Sequence, residues 1–204
     1  VMRCVLATSN SHKRDEIAAI FEEMQVRGVS FESLACYPDI TPAIEDGATF
    51  AENARIKALH VSRATGGWAL TDDSGLAVDA LDGRPGVHSA RYGGEGTTDA
   101  HKIELLLEEL ADVPMRDRTA RFVCHMVLAH GESVQAEAEG VCDGVIAAEP
   151  AGSQGFGYDP IVYIPELGAT VGQLSADGKN AISHRARAAR GLAPALRRFI
   201  DGDA

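Results

Sequence analysis

Trp68-Ala69-Leu70-Thr71-Asp72-Asp73-Ser74-Gly75-Leu76-Ala77-Val78 sets an apolar run directly against two adjacent carboxylates. Successive side chains of a strand point to opposite faces, so Asp72 and Asp73 cannot both face one core. With Gly75 permitting a sharp turn, the strand is expected to end at Asp-Asp-Ser-Gly and to present oxygen ligands at its carboxyl edge. Open α/β sheets bind their ligands at that edge. Asp and Ser are also ordinary turn residues, so the tetrapeptide alone reads more simply as a polar turn after a buried strand. Three other stretches shift the balance.

Upstream, residues 2–8 read as a buried first strand, followed by the polar loop Ser9-Asn10-Ser11-His12 and a helix opening at Lys13. Ile17, Ile20, Phe21 and Met24 recur at helical spacing, and Gly28 marks the stop. Strand, short loop and helix N-terminus make a place where backbone N–H groups and the helix dipole favour an anion, with Lys13 as a point charge. An N-capped helix explains the same residues equally well, and the chain has no glycine-rich G-x-x-x-x-G-K-[ST] phosphate loop. Residues 29–34 form a plausible second strand, and 35–47 read as a loop carrying Glu45. Thr49-Phe50-Ala51-Glu52 has capping-box spacing and opens a helix to about Thr65, stopped by Gly66-Gly67. Phe50, Ala54, Ala58 and Val61 form its core stripe, while Asn53 and Lys57 share another face. On pattern alone Lys57 reads as a solvated surface lysine, and Glu45 is placed to return toward the aspartate pair.

Downstream, residues 81–94 are turn-rich and suggest either a mobile flap or a tightly shaped loop. A helix is expected over Asp99–Leu110, then two long strands over 119–130 and 133–148 with a turn at Gly131-Glu132. Gly155-Phe156-Gly157-Tyr158-Asp159-Pro160 puts two aromatics among glycines, which suits close backbone approach and stacking on a flat ligand; an aromatic core corner is the simpler alternative. Asp177-Gly178-Lys179-Asn180-Ala181-Ile182-Ser183-His184-Arg185 opens a last helix running to about Ile200. An exposed His184-Arg185 pair there offers donors for a carbonyl or phosphate oxygen, against the alternative of an ordinary basic helix face.

The 204 residues, 45% of them hydrophobic, are enough for one domain with a substantial core, and no repeat or linker divides the chain. No apolar run has the length of a membrane span, and no secretory leader is evident, so a cytoplasmic protein without membrane association is expected. A net charge of −11 argues against nucleic-acid binding through a broad basic patch. Of the 19 basic residues only Lys13, Lys57, Lys102 and Lys179 are lysines, and three of these four fall in the stretches already singled out. Cys4, Cys36, Cys124 and Cys142 have no paired spacing and are expected as buried free thiols.

Taken in order, these stretches resemble the Ham1-like inosine triphosphate pyrophosphatases, which hydrolyse non-standard purine nucleoside triphosphates. Leu6-Ala7-Thr8-Ser9-Asn10 with Lys13 is similar to the family's opening phosphate loop, and Glu52-Asn53-Ala54 with Lys57 to its second helix. Asp72-Asp73-Ser74-Gly75-Leu76, Pro85-Gly86 with Ser89-Ala90-Arg91-Tyr92, the 155–160 motif, and Lys179 with Ser183-His184-Arg185 complete the series. Ser9 stands where the family often has Gly, and Ala186 where Gly is common.

The resemblance implies an α/β fold: an elongated mixed sheet flanked by helices, as two lobes with a central active-site cleft, in a single domain over 1–204 and a homodimer. It further implies that Asp73 is the general base and a Mg²⁺ ligand, with Glu45 and Asp72 completing the acidic metal set. Thr8, Ser9, Asn10, Ser11, His12, Lys13, Lys57 and Lys179 would hold the triphosphate, and Ser74 would touch substrate. Phe156, Gly157, Tyr158, Asp159, His184 and Arg185 would form the nucleobase pocket. The chemistry is coherent, because hard Mg²⁺ and phosphoryl oxygens call for carboxylates rather than a histidine or cysteine cage. Water deprotonated by Asp73 would attack the α-phosphorus and expel pyrophosphate, with ITP, dITP, XTP and dXTP as expected substrates. Donors aimed at a 6-oxo group can reject a 6-amino purine by roughly 10⁴–10⁵. A pyrophosphatase for modified pyrimidine or standard nucleotides is one alternative; a non-catalytic nucleotide-binding module is another.

Overall fold

A computed structural model describes residues 1–202. In chain order it contains β1 (Met2–Leu6), α1 (Ser11–Glu23), β2 (Val29–Ser33), α2 (Phe50–Thr65), β3 (Trp68–Val78), α3 (Asp99–Glu109), β4 (Thr119–His130), β5 (Ser133–Ile146), β6 (Val162–Ile164), β7 (Ala169–Thr170), α4 (Ala176–Ile182) and α5 (His184–Asp201). The strands form one seven-stranded sheet in the order β2-β1-β3-β4-β5-β6-β7. β1 runs parallel to β2 and β3, whereas β6 is antiparallel to both β5 and β7. This is the mixed sheet flanked by helices that the sequence implied.

The chain divides into two compact units, one of Val1–Asp73, Cys124–Gly140 and His184–Ala204, the other of Ser74–Val123 and Val141–Ser183. In the first unit, strand alternation sorts every inward side chain to one of two helix layers. Cys4, Leu6, Leu70, Cys124, Met126 and Leu128 pack with Ile17, Ile20 and Phe21 of α1 and with Leu192 and Leu196 of α5. The odd-numbered neighbours turn the other way, Val5, Ala7 and Ala69 onto Val61, and Val127 and Ala129 onto Ala54 and Ala58, all of α2. That parity is what period-two side-chain geometry dictates for a sheet covered on both sides. It sends Asp72 toward α1 and α5, and Asp73 toward α2.

The second unit has its own core, in which Leu76 and Val78 of β3 meet Ile103 and Leu106 of α3, Phe122 of β4, Tyr158 and Ile161. Here the 81–94 segment is a tightly shaped loop. Ser89 accepts a hydrogen bond from Leu76 N at 2.9 Å and donates to Gly86 O at 2.6 Å, while the Tyr158 hydroxyl donates to Ser89 O at 3.1 Å.

Five expectations change. β3 does not stop at the aspartates but runs on to Val78, so the pair lies mid-strand. The open edge arises instead because neighbouring β1 ends at Leu6, opposite Leu70, leaving Asp72 beside the start of α1. Gly75 makes no turn; it is small because a Cβ there would lie 2.6 Å from Gly86 O and still closer to Ser89 Oγ. The last helix is broken at Ser183, whose extended backbone (φ −63°, ψ 149°) caps α4 before α5 begins. Cys36 is exposed, whereas Cys4, Cys124 and Cys142 are the buried thiols expected. α1 begins at Ser11 rather than Lys13, with Asn10 as its cap. Among the described residues no helix is long and apolar enough to cross a membrane.

Because a methyl group at Gly75 must displace backbone as well as the Ser89 side chain, Gly75→Ala is expected to destabilise the protein by about 1–3 kcal/mol. Urea unfolding checks this, and an unchanged midpoint would contradict the packing account.

Candidate active site

Asp72 lies on the α1 and α5 face, and its side chain is withdrawn from solvent. Its Oδ1 takes the Lys13 ammonium at 2.6 Å; its Oδ2 takes Arg185 Nε at 2.7 Å and the Cys124 thiol at 3.1 Å. Arg185 is itself buried and extends Nη1 to Glu16 at 2.5 Å. Burial alone would raise the Asp72 pKa, but the adjacent Arg185 and Lys13 charges hold the carboxyl well below the ordinary carboxylate range. Burial likewise opposes the Arg185 cation, and Asp72 and Glu16 more than offset it. Burial together with Asp72 pushes the Cys124 thiol far up, so it stays protonated as a donor.

Lys13 reaches this acid because the preceding loop is organised by its own side chains. Thr8 Oγ1 accepts from Asn10 N at 3.1 Å, and Asn10 Oδ1 accepts from Lys13 N at 3.1 Å, which caps α1. Ser9, Asn10, Ser11 and His12 are exposed around the start of the 13-residue helix α1, as an anion-binding turn requires.

Asp73 lies on the α2 face. Lys57 of α2 places its ammonium 2.8 Å from Asp73 Oδ1 and 3.0 Å from Glu45 Oε2. Lys57 is therefore no solvated surface lysine; its side chain is 17% exposed and bridges two acids. Asp73 Oδ2 is buried with no hydrogen-bond partner among the described residues. Burial raises the Asp73 pKa and the Glu45 charge adds to it, against the lowering influence of Lys57 and Lys13. Lys57 moves up as well, since two carboxylates outweigh its own burial. The two directions agree: one ammonium divided between two acids is well supported, while each acid receives only part of a countercharge.

Among the described residues no three His, Cys, Asp or Glu side chains converge as a metal site. The expected trio of Glu45, Asp72 and Asp73 is thus not one cluster. Strand alternation puts Asp72 on the opposite face from Asp73, and its oxygens are occupied by Lys13, Arg185 and Cys124. Glu45 and Asp73 remain together.

In the second unit, Asp159 Oδ2 accepts from Phe156 N at 2.9 Å and from Lys179 Nζ at 2.7 Å, and Lys179 lies 4.7 Å from the centre of the Phe156 ring. Gly157 N donates to Asp99 Oδ2 at 2.7 Å. Phe156 is half-buried, so its ring keeps an accessible part, but Tyr158 is buried in the core with its hydroxyl on Ser89 O. The Gly-rich motif therefore supplies one aromatic surface rather than two. Ser74 opens this unit on β3, half-buried. His184 and Arg185 begin α5 and are both buried, not the exposed pair expected, because α5 packs against β5: a Cβ at Gly140 would lie 2.4 Å or less from α5 backbone.

Sequence reasoning assigned no role to Glu16 or to Asn53, although it set Asn53 on the same helix face as Lys57. Glu16 is three residues beyond Lys13 and Asn53 four before Lys57, spacings that place each on the same helix face as its lysine. That periodicity was the available signal.

The fold and these groups define an α/β protein with buried carboxylates and lysines set where a parallel strand ends and a helix begins. The profile of the Ham1 family matches residues 4–195. The chain is 52% identical over 184 residues to a dITP/XTP pyrophosphatase of Geobacillus kaustophilus, covering 90% of this chain and 89% of that protein. The structure of a HAM1 protein from Coxiella burnetii superposes with a TM-score of 0.87 at 40% identity, covering 96% and 98% of the two chains. That of the Staphylococcus aureus Ham1 protein does so with a TM-score of 0.83 at 36% identity, covering 99% and 100%. The chain belongs to the Ham1 family.

Asp72→Asn keeps the shape but leaves the buried Arg185 and Lys13 short of a charge, so a loss of about 3–5 kcal/mol at neutral pH is expected from urea unfolding. A carboxyl with a depressed native pKa contributes stability above its unfolded value, near 3.8, and loses it as pH falls through the native value. The gap between wild type and variant should therefore narrow from about pH 5 to pH 3; a constant gap would show that the Asp72 charge is not the cause.

Proposed function

We propose that the protein hydrolyses the purine nucleoside triphosphates ITP, dITP, XTP and dXTP to the monophosphate and pyrophosphate, using Mg²⁺, and so clears them from the nucleotide pool. Membership of the Ham1 family and the names of its relatives support the reaction class. The single observation that carries the chemistry is the Asp73 carboxylate: one oxygen on Lys57, the other buried and without a hydrogen-bond partner among the described residues, with Glu45 on the same ammonium.

That oxygen suits a general base. A water beside Asp73 Oδ2 passes its proton to the carboxylate as its oxygen attacks the α-phosphorus; the bond to the bridging oxygen then breaks and pyrophosphate leaves. Base catalysis of this kind typically contributes ~10²–10⁴-fold. Lys57 and Lys13 place positive charge near the acids and beside the exposed 9–12 turn, whose N–H groups suit phosphate oxygens. Asp72 is assigned here to fixing Lys13, not to metal binding.

Glu45 and Asp73 fit a hard divalent cation. Two carboxylates, here the pair that share the single Lys57 ammonium, with the remaining positions left to phosphate and water, is the usual Mg²⁺ arrangement. When bound, the ion neutralises charge on the phosphoryl oxygens.

In the second unit, the Phe156 ring backed by the Lys179 cation suits stacking on a purine. One functional domain over 1–204, a cytoplasmic location and a homodimer belong to the same proposal, supported by family membership.

The test is hydrolysis of ITP beside GTP and ATP, with and without Mg²⁺, resolving pyrophosphate from orthophosphate. Expected is pyrophosphate, fast for ITP and only with metal. Orthophosphate would move the attack to the terminal phosphorus, a preference for GTP, ATP or pyrimidine nucleotides would reassign the substrate, and no turnover would leave a binding module. Asp73→Asn should lower kcat by about 10²-fold or more while ITP binding survives; normal turnover in that variant would remove Asp73 from its role.

A further inference from the structure

Glu45 lies in a stretch without regular structure between Thr41 and Thr49, and its neighbour Ile44 is 81% exposed. Apolar burial therefore does not hold this segment. It is strapped along α2 by polar contacts. His60 Nε2 meets Thr41 O at 2.7 Å, Lys57 meets Glu45, Asn53 Oδ1 accepts from Gly47 N at 2.9 Å, and Glu52 Oε2 accepts from Ala48 N at 2.7 Å and Thr49 N at 3.1 Å.

Of these supports, Asn53 is distinct in being buried, at 3% exposure, and in gripping the chain two residues from Glu45. Gly47 answers it sterically: a Cβ would lie 2.7 Å from Asn53 Oδ1, 2.7 Å from Glu52 Cβ and 3.0 Å from Asn53 N. One turn further along α2, Lys57 binds both Glu45 and Asp73. The Glu52 capping box already accounts for starting the helix, so the Asn53 bond is not needed for that.

We propose that Asn53 is a positioning residue for the reaction: by accepting the Gly47 N–H it fixes the strap so that the Glu45 carboxylate is set beside Asp73 before any ligand arrives. The inference rests on the reading of Glu45 and Asp73 as the cation-binding acids. Asn53 touches neither substrate nor ion in this scheme and acts only through the geometry of Glu45. Partners of this indirect kind typically change metal affinity or activity by about 10–100-fold when removed.

Three variants test it. Asn53→Leu deletes the acceptor at similar volume, Asn53→Asp keeps an acceptor oxygen, and Gly47→Ala lifts the strap while leaving α2 and Asn53 intact. The readouts are amide hydrogen exchange at Gly47 in metal-free protein, calorimetric titration of Mg²⁺ alone into nucleotide-free protein, and kcat and KM for ITP against Mg²⁺ concentration. Asn53→Leu and Gly47→Ala should lose protection at Gly47, bind Mg²⁺ about 10–100-fold more weakly and fall in kcat, with KM at saturating Mg²⁺ little changed. Asn53→Asp should retain protection and Mg²⁺ affinity. Should Asn53→Leu not fold, Gly47→Ala decides alone. Unchanged Mg²⁺ affinity in the folded variants, or an Asn53→Asp protein that behaves as Asn53→Leu, overturns the proposal. Glu45→Gln separates the two levels: if it leaves Mg²⁺ affinity and turnover unchanged, the underlying reading of Glu45 fails and this inference with it. If Glu45→Gln is impaired while Asn53→Leu and Gly47→Ala are not, only the role of Asn53 is rejected.

Discussion

Burying a carboxylate takes an ion out of water, which disfavours it by several kcal/mol unless countercharges and hydrogen bonds come with it. Asp72 satisfies that condition through Lys13 of α1, Arg185 of α5 and the Cys124 thiol of β4. These three partners lie 59, 113 and 52 residues away in sequence. The first unit therefore cannot assemble around β3 without bringing the first helix, a central strand and the last helix to one point. Removing the Asp72 charge takes a countercharge from the buried Arg185 cation, which is strongly destabilising.

The neighbouring aspartate is treated oppositely because it faces the other way. Asp73 has one ammonium, which it must share with Glu45, and one buried oxygen with no partner among the described residues. A fully satisfied acid and an under-satisfied one thus stand adjacent in the chain. The low native pKa of Asp72 suits a permanent charge that holds Lys13, and the raised pKa of Asp73 suits proton transfer. In the proposed reaction, stability given up at Asp73 would serve reactivity, in line with the usual clustering of perturbed acids at functional sites.

Much of the architecture was legible in residue order. The periodicities of α1, α2 and α3 and the long runs of β4 and β5 located those elements to within a few residues, because each buries one stripe or one face against a core. Alternation also required Asp72 and Asp73 to part. The reading failed where a local signal had two solutions. Asp-Asp-Ser-Gly looked like a strand end, yet the strand continues, since paired cations let buried acids remain in extended chain and Gly75 is small for the sake of Ser89. Ser183 lay hidden inside a helical composition, and its extended backbone falls where the chain passes from one unit to the other.

The sequence by itself determined the fold class, the motif order that placed the chain among Ham1-like proteins, and the candidate acids and lysines, since these depend on local periodicity and side-chain chemistry. Only the tertiary structure decided what each charge does. Lys57 and Arg185 look like neighbours of any other surface base on a helix, and Tyr158 like a second stacking ring. Their burial and partners are set by residues far away in the chain, and a pKa or a hydrogen bond is a property of that environment, not of the residue or its sequence neighbours.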